Sequence, residues 1–148
     1  MSVRRDFPDL PPIWALGTLV VQWVLARFLP ILTVATGPLG WLFVALGFGL
    51  ALWSLVWFRR KNTTFEPRDQ PTALIVEGPF RVNRNPIYTG LALILVGTGL
   101  LFGSLLAVAL VLPFCWIITR RFILDEEATL RATFGETADA YIAATRRW

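Results

Sequence analysis

The sequence has no histidine and a single cysteine in 148 residues. Without histidine, imidazole general-base catalysis, histidine-ligated metals and every serine–histidine or cysteine–histidine pair are excluded. Cys115 lies inside an apolar run, so the chain can form neither an intrachain disulfide nor a cysteine metal cluster. We therefore expect no metal site, and a packing role for the cysteine.

Charged residues are scarce as well. They make up 16% of the chain, against about 25% in an ordinary soluble domain, while 55% of the residues are hydrophobic. The charges are bunched, which leaves long uncharged runs between them. This composition predicts an integral membrane protein with a single domain over residues 1–148. The net charge of +4 comes from arginines at predicted helix ends, so we expect the lipid bilayer, and no nucleic acid, as a partner.

The uncharged runs predict four transmembrane helices. Residues 39–58 have the length that one bilayer crossing needs. Residues 91–118 are also uncharged and would extend about 42 Å as one helix, which exceeds the ~30 Å hydrocarbon core. We therefore interpret this run as part of a helical hairpin that turns at Gly103-Ser104. The predicted spans are about residues 13–32, 39–58, 86–102 and 104–121 of an all-α bundle.

Basic clusters orient this predicted bundle. The positive-inside rule favours both Arg59-Arg60-Lys61 and Arg120-Arg121 in the cytoplasm, which requires an even number of crossings between them. Four spans then put both termini there, together with all ten acids and every basic residue except Arg27. We expect residues 62–85 and 122–148 to form cytoplasmic segments that carry the chemistry.

A polar segment with several prolines, residues 77–90, leads into the third predicted span. Asn85 followed by Pro86 is typical of a helix N-cap with proline at the first helical position. The N–H groups and dipole of a helix start, flanked by Arg81 and Arg84, favour an anion such as a carboxylate or phosphate. The alternative is an interfacial helix start whose arginines meet lipid head groups.

The predicted hairpin brings a second polar cluster beside this segment. Asn85 and Arg121 each lie eighteen residues from Gly103, so they should reach the same depth. The acids 125–127 would extend roughly 6–9 Å farther, over the start of the third span. Carboxylates there can bind the hydroxyls or ammonium of a cofactor, and arginines can bind its carboxylate. The alternative is a juxtamembrane helix whose acids pair with nearby arginines and contribute little.

Two gapped motifs in these segments resemble those of a known enzyme family. The first motif is Gly78-Pro79-Phe80 followed by Arg84-Asn85-Pro86-Ile87-Tyr88-Thr89-Gly90. The second is Glu126-Glu127, Leu130, Phe134-Gly135, Tyr141 and Arg147-Trp148. In this order, over roughly Thr63 to the C-terminus, they resemble the isoprenylcysteine carboxyl methyltransferases and the related phospholipid methyltransferases. Phe80 and Asn85 depart from the tyrosine and histidine that are common in that family.

The resemblance implies S-adenosylmethionine as the cofactor and a membrane lipid as the methyl acceptor. It assigns the cofactor pocket, by position, to Leu74, Ile75, Phe80, Arg84, Asn85, Pro86, Ile87, Tyr88 and Glu126. Glu127 would support that pocket. Our candidates for catalysis are Glu127 and Asp125, which would take a proton from an amine acceptor, and Arg121. Methyl transfer from a sulfonium needs mainly positioning and exclusion of water, so the absence of histidine is no obstacle.

Phe122 stands where the eukaryotic prenylcysteine enzymes have a substrate-contacting arginine, and Arg121 is one residue out of register. We therefore favour N-methylation of a phosphatidylethanolamine-type head group by an enzyme of the bacterial inner membrane. Three alternatives remain: carboxyl methylation of a prenylated cysteine or other lipophilic acceptor, an NADPH-dependent reductase related to the sterol reductases, and a non-enzymatic membrane scaffold.

Overall fold

A computed structural model describes residues 7–63 and 71–148 of the chain. The described residues form helices and no strand, so the predicted all-α class is confirmed. The helices are α1 (Pro11–Phe28), α2 (Gly37–Arg60), α3 (Pro86–Leu101), α4 (Leu105–Ala109), α5 (Val111–Ile118), α6 (Leu124–Phe134) and α7 (Glu136–Ala144). A 3₁₀ turn at Gly78–Arg81 precedes α3, and a π-helical turn at Thr119–Ile123 joins α5 to α6.

Two helical stretches in the described ranges are long and apolar enough to cross a membrane. They are α2 and the run Leu105–Phe134, which joins α4 to α6. Helix α3 is also apolar but has only 16 residues. Large apolar side chains are exposed on α1, α2 and α5, as expected of surfaces that face lipid. The arrangement as four membrane spans stays a prediction.

Glycines bring α2 and α3 into close contact. A Cβ atom added to Gly47 would lie 2.5 Å from the Gly90 carbonyl oxygen, and one added to Gly97 would lie 2.6 Å from the Gly40 carbonyl oxygen. No side chain fits at these distances, so the two backbones touch. Small residues commonly allow this approach between membrane helices.

Gln22 ties α1 to the rest of the bundle. Its fully buried amide donates hydrogen bonds to the carbonyls of Leu95 (2.8 Å) and Ala107 (2.9 Å). Its carbonyl accepts one from the Thr98 hydroxyl at 2.8 Å. Because the side chain is satisfied on both ends, it fixes α1 against α3 and α4 without leaving a buried polar group unpaired.

The chain turns between α3 and α4 at the residues where the sequence predicts the turn of a hairpin. Gly103 has φ +68°, which favours glycine, and the Ser104 hydroxyl accepts a hydrogen bond from the Ala107 N–H. Farther on, the helix is interrupted between Ala109 and Val111. Pro113 has no N–H to offer the Ala109 carbonyl, which explains this break.

Candidate functional site

The two sequence motifs meet where α3 begins and α6 begins. Tyr88 lies in the first turn of α3, is only 9% exposed, and donates a hydrogen bond from its hydroxyl to Glu126 Oε1. Thirty-eight residues separate these two side chains along the chain. A tertiary contact therefore joins the first motif to the second.

Glu126 is a carboxyl group with an unusual environment. Burial raises its pKa to about 7, the hydrogen bond from Tyr88 lowers it, and the neighbouring charges of Asp125 and Glu127 raise it. The residue lies beyond Arg120 and Arg121, after the apolar part of the helical run. A carboxyl group with this pKa changes its protonation near neutral pH, and its ionised form can accept hydrogen bonds from hydroxyl or ammonium groups.

Glu127 lies beside it in a cluster of one acid and two arginines. Arg147 donates to both carboxylate oxygens through Nε and Nη2, each at 2.8 Å, and Arg84 Nη2 donates to Oε1 at 3.0 Å. The Glu127 side chain is only 5% exposed. Burial alone would raise its pKa, but the hydrogen bonds from Arg147 and Arg84 outweigh burial and hold the pKa below the ordinary value. The carboxylate therefore stays ionised at neutral pH.

The C-terminal segment closes over the start of α3. The Arg84 N–H donates to the Arg146 carbonyl at 2.8 Å, and the Arg146 N–H donates back to the Val82 carbonyl at 3.1 Å. The Asn85 side-chain amide donates to the Arg147 carbonyl at 2.9 Å. The Arg84 guanidinium also donates to the Ile142 carbonyl at 2.6 Å. Two of the predicted cofactor residues, Arg84 and Asn85, thus hold the segment that carries Arg147.

The remaining predicted pocket residues line the entry to α3. Ile75 and Phe80 are buried, and Leu74 is half-buried. The Phe80 ring packs edge-on against Phe58 of α2, with 5.4 Å between centroids, and its carbonyl accepts a hydrogen bond from the Tyr141 hydroxyl at 2.8 Å. Pro86 and Ile87 follow as the first residues of α3, Pro86 buried and Ile87 packed against the core.

The other two predicted catalytic residues lie in different surroundings. Arg121 makes a bidentate ion pair with Asp9, at 3.0 and 2.9 Å, and stacks over the Trp14 ring of α1. Asp125 is exposed in the first turn of α6. Of the three, Glu127 is the one that the structure brings into the Arg84 cluster.

Sequence reasoning gave no site role to Arg147 or Trp148, although both belong to the second motif. Arg147 is the main partner of Glu127, and the Trp148 indole N–H donates to the Thr119 hydroxyl at 3.2 Å. Thr119 opens the π-helical turn, a distortion that occurs often near functional sites. The Arg-Trp ending of the motif was the available signal for these contacts.

A family model for phospholipid methyltransferases matches residues 35–137, which is more than half of the chain. The chain belongs to the phospholipid methyltransferase family. No curated protein and no solved structure gives a significant match. In this member of the family, the matched range includes Tyr88, Glu126, Arg84 and Glu127, whereas Arg147 lies beyond it. The contacts of Tyr88 with Glu126 and of Arg84 with Glu127 therefore lie within the range that the family model matches, whereas the contacts made by Arg147 do not.

Proposed function

We propose that the protein transfers a methyl group from S-adenosylmethionine to the head-group amine of a phosphatidylethanolamine-type phospholipid, at the cytoplasmic face of a four-span bundle in a bacterial inner membrane. Family membership supports methyl transfer. The observation that carries the proposal is the contact between Tyr88 and Glu126, which joins the two family-like motifs beside a cluster of ionised groups.

The residues at this contact suit the cofactor chemically. Glu126 offers a carboxyl group for ribose hydroxyls or for the amino group, and Tyr88 orients it. Arg84 Nε is buried and has no hydrogen-bond partner among the described residues. A buried donor without a partner is costly, so an anionic or carbonyl group of a ligand is the fitting acceptor. When bound, S-adenosylmethionine supplies an electrophilic methyl group on a sulfonium.

The protein's part in the reaction is positioning and exclusion of water. The ion pairs of Glu127 with Arg84 and Arg147 fasten the C-terminal segment to the start of α3. This contact positions Tyr88 and Glu126. An amine must lose a proton before it attacks. The lowered pKa of Glu127 makes it a weak proton acceptor. Asp125, which is exposed in the first turn of α6, remains the other candidate of the predicted pair.

Burial of Phe122 favours the phospholipid acceptor over a prenylated cysteine. The ring is 1% exposed and belongs to the buried core cluster. The position that holds a substrate-contacting arginine in the prenylcysteine enzymes is therefore apolar and closed in this chain. A carboxylate substrate would meet an aromatic ring at this position in place of a guanidinium.

Ligand binding tests the proposal before any lipid is added. Purified protein in detergent is titrated with S-adenosylhomocysteine, S-adenosylmethionine and NADPH, and its melting temperature is measured. We expect a concentration-dependent rise with the first two ligands, lost in Glu126→Ala. A rise with NADPH alone would indicate a reductase instead. Folded protein that responds to none of the three would indicate a membrane scaffold.

A further inference from the structure

The π-helical turn between α5 and α6 changes which face of this helical run meets the bundle. In the turn, the Leu124 N–H donates to the Thr119 carbonyl, five residues earlier, whereas an α-helix pairs groups four residues apart. The turn therefore accommodates one residue more than an α-helix would. Because successive residues of an α-helix are about 100° apart around its axis, every side chain after the turn is rotated by roughly that angle.

This rotation determines which acid of α6 faces α3. Ile118, at the end of α5, is fully buried in the core. In an uninterrupted α-helix, the residue seven positions later, Asp125, would lie on the same face. In the structure Asp125 is exposed, and Glu126, eight positions after Ile118, accepts the hydrogen bond from Tyr88. The extra residue thus places Glu126, instead of Asp125, on the face that meets Tyr88.

Thr119, the first residue of the turn, is held by two hydrogen bonds of its hydroxyl. The hydroxyl donates to the Cys115 carbonyl at 2.8 Å and accepts from the Trp148 indole N–H at 3.2 Å. A threonine that bonds to the carbonyl four residues earlier often bends a helix. The Trp148 ring itself packs against the buried cluster that includes Tyr88. A residue from outside the helix therefore fixes the start of the turn.

The same C-terminal segment also holds the helix beyond the turn. Arg147, next to Trp148, donates to both oxygens of the buried Glu127 carboxylate, each at 2.8 Å. Two adjacent residues thus hold the helical run at Thr119 and at Glu127, on either side of the turn. The extra residue could be accommodated elsewhere in the run, because every position there except proline offers the same backbone N–H and C=O groups. The two anchors confine it to residues 119–123.

We propose that Thr119 and Trp148 are positioning residues, because their hydrogen bond keeps the π-helical turn in place and so directs Glu126, rather than Asp125, toward Tyr88. The proposal rests on the proposed function in one respect, since that function assigns Glu126 to the cofactor. Both residues act through the register of the helix, which is the set of side chains that face the bundle.

Cysteine labelling measures this register without any cofactor. Asp125→Cys in a Cys115→Ser background gives a protein with one cysteine, whose rate of reaction with a water-soluble maleimide reports its exposure. We expect Thr119→Val and Trp148→Phe each to slow this labelling by at least about threefold, as position 125 turns toward the bundle. Slower labelling is diagnostic, because partial unfolding of a destabilised variant would speed the reaction instead.

Two variants are matched controls for the labelling. Thr119→Ser keeps the hydroxyl and should label like the parent protein. Thr133→Val should do so too, because it removes the same kind of bond, from Thr133 to the Thr129 carbonyl at 2.9 Å, outside the π-helical turn. Unchanged labelling in both Thr119→Val and Trp148→Phe would overturn the proposal. Equal slowing in Thr133→Val would also overturn it, since the effect would not depend on the turn.

Cofactor binding tests whether the register acts through Glu126. Calorimetry with S-adenosylhomocysteine, on the chain with its native cysteine, should find affinity at least about threefold weaker in Thr119→Val, because less of the protein has the competent register. Glu126→Gln should then cost less affinity in Thr119→Val than in the wild type. A merely structural role of Thr119 would lower the melting temperature and leave that cost unchanged. Equal costs in the two backgrounds would therefore overturn the positioning role.

The two measurements separate this proposal from the proposed function. If the wild type binds no S-adenosylhomocysteine but Thr119→Val slows the labelling, the control of register by Thr119 stands and the proposed function falls. If the wild type binds the cofactor and methylates lipid, but neither Thr119→Val nor Trp148→Phe changes the labelling, the positioning role falls and the function stands.

Discussion

Glu127→Gln should lower the free energy of unfolding by ~3 kcal/mol. Glutamine keeps the size of the side chain and one carbonyl acceptor, but it removes the charge that faces two guanidinium groups. Arg84 is only 9% exposed, so it would remain as a buried charge without its anion. Breaking a buried ion pair in this way costs about 3–5 kcal/mol. The lower end applies here, because Arg147 is 39% exposed and water can solvate it once the carboxylate is gone.

The assay is reversible unfolding of the purified protein in detergent, with an exposed ion pair as the matched control. Arg131 and Asp139 make an N–O contact of 3.0 Å, like that between Arg84 and Glu127, but their side chains are 47% and 62% exposed. Asp139→Asn should therefore change the free energy of unfolding by less than about 1 kcal/mol. If Glu127→Gln and Asp139→Asn had equal small effects, the reasoning that burial makes the Glu127 cluster stabilising would be refuted.

The pH dependence of the Glu127→Gln effect follows from the lowered pKa of Glu127. A carboxyl group whose pKa is lower in the folded state stabilises the protein at pH values above the pKa of the unfolded state, which is ordinarily 4.5. That stability is lost as the pH falls through the folded pKa. The difference in the free energy of unfolding between wild type and Glu127→Gln should therefore be constant near neutral pH. It should shrink as the pH falls below 4.5. A difference that grew on acidification would contradict the assignment.

Three further predictions concern the cofactor and the helix contacts. Because the pKa of Glu126 is about 7, affinity for S-adenosylhomocysteine should rise as the pH increases through neutrality and the carboxylate forms. Calorimetry should find this rise in the wild type and a flat pH profile in Glu126→Gln. Equal profiles would be evidence against contact between Glu126 and the cofactor. Gly47→Ala should destabilise the fold by about 1–3 kcal/mol, because its Cβ would meet the Gly90 carbonyl at 2.5 Å. In thermal unfolding, the control Gly17→Ala should destabilise the protein less. A larger effect of Gly17→Ala than of Gly47→Ala would disprove the close contact between the backbones of α2 and α3. Gln22→Leu should cost about 1–3 kcal/mol, since it removes three buried hydrogen bonds that join α1 to α3 and α4. A denaturant titration with an unchanged midpoint would show that these bonds contribute nothing to stability.

Much of the helical frame could be predicted because its signals are local. The uncharged run at residues 39–58 lies within α2, and Asn85-Pro86 begins α3. Helix α1 ends at Phe28, before the predicted end of the first span at about residue 32, and the span itself stays a prediction. Pro30 cannot continue a helix, and Leu32 has positive φ.

The details of the site depended on contacts that no local pattern encodes. Asp9 and Arg121 are 112 residues apart in the chain, and nothing in either neighbourhood indicates the other. The same is true of the C-terminal segment, whose return to Val82 and Arg84 uses backbone groups that every sequence has. The convergence of Tyr88 with Glu126 was indicated by the spacing of the predicted hairpin around Gly103 and by the order of the gapped motifs, although neither signal gave the hydrogen bond itself.

Methyl transfer to phosphatidylethanolamine in defined vesicles tests the proposed function. Purified protein, reconstituted with phosphatidylethanolamine, receives S-adenosylmethionine labelled in its methyl group, and the lipids are extracted and counted. We predict a labelled N-methylated phospholipid with the wild type, and at least about tenfold less product with Glu126→Ala, because a charge-assisted hydrogen bond to the cofactor is lost. Folded wild-type protein that labels no lipid at saturating cofactor would contradict the account.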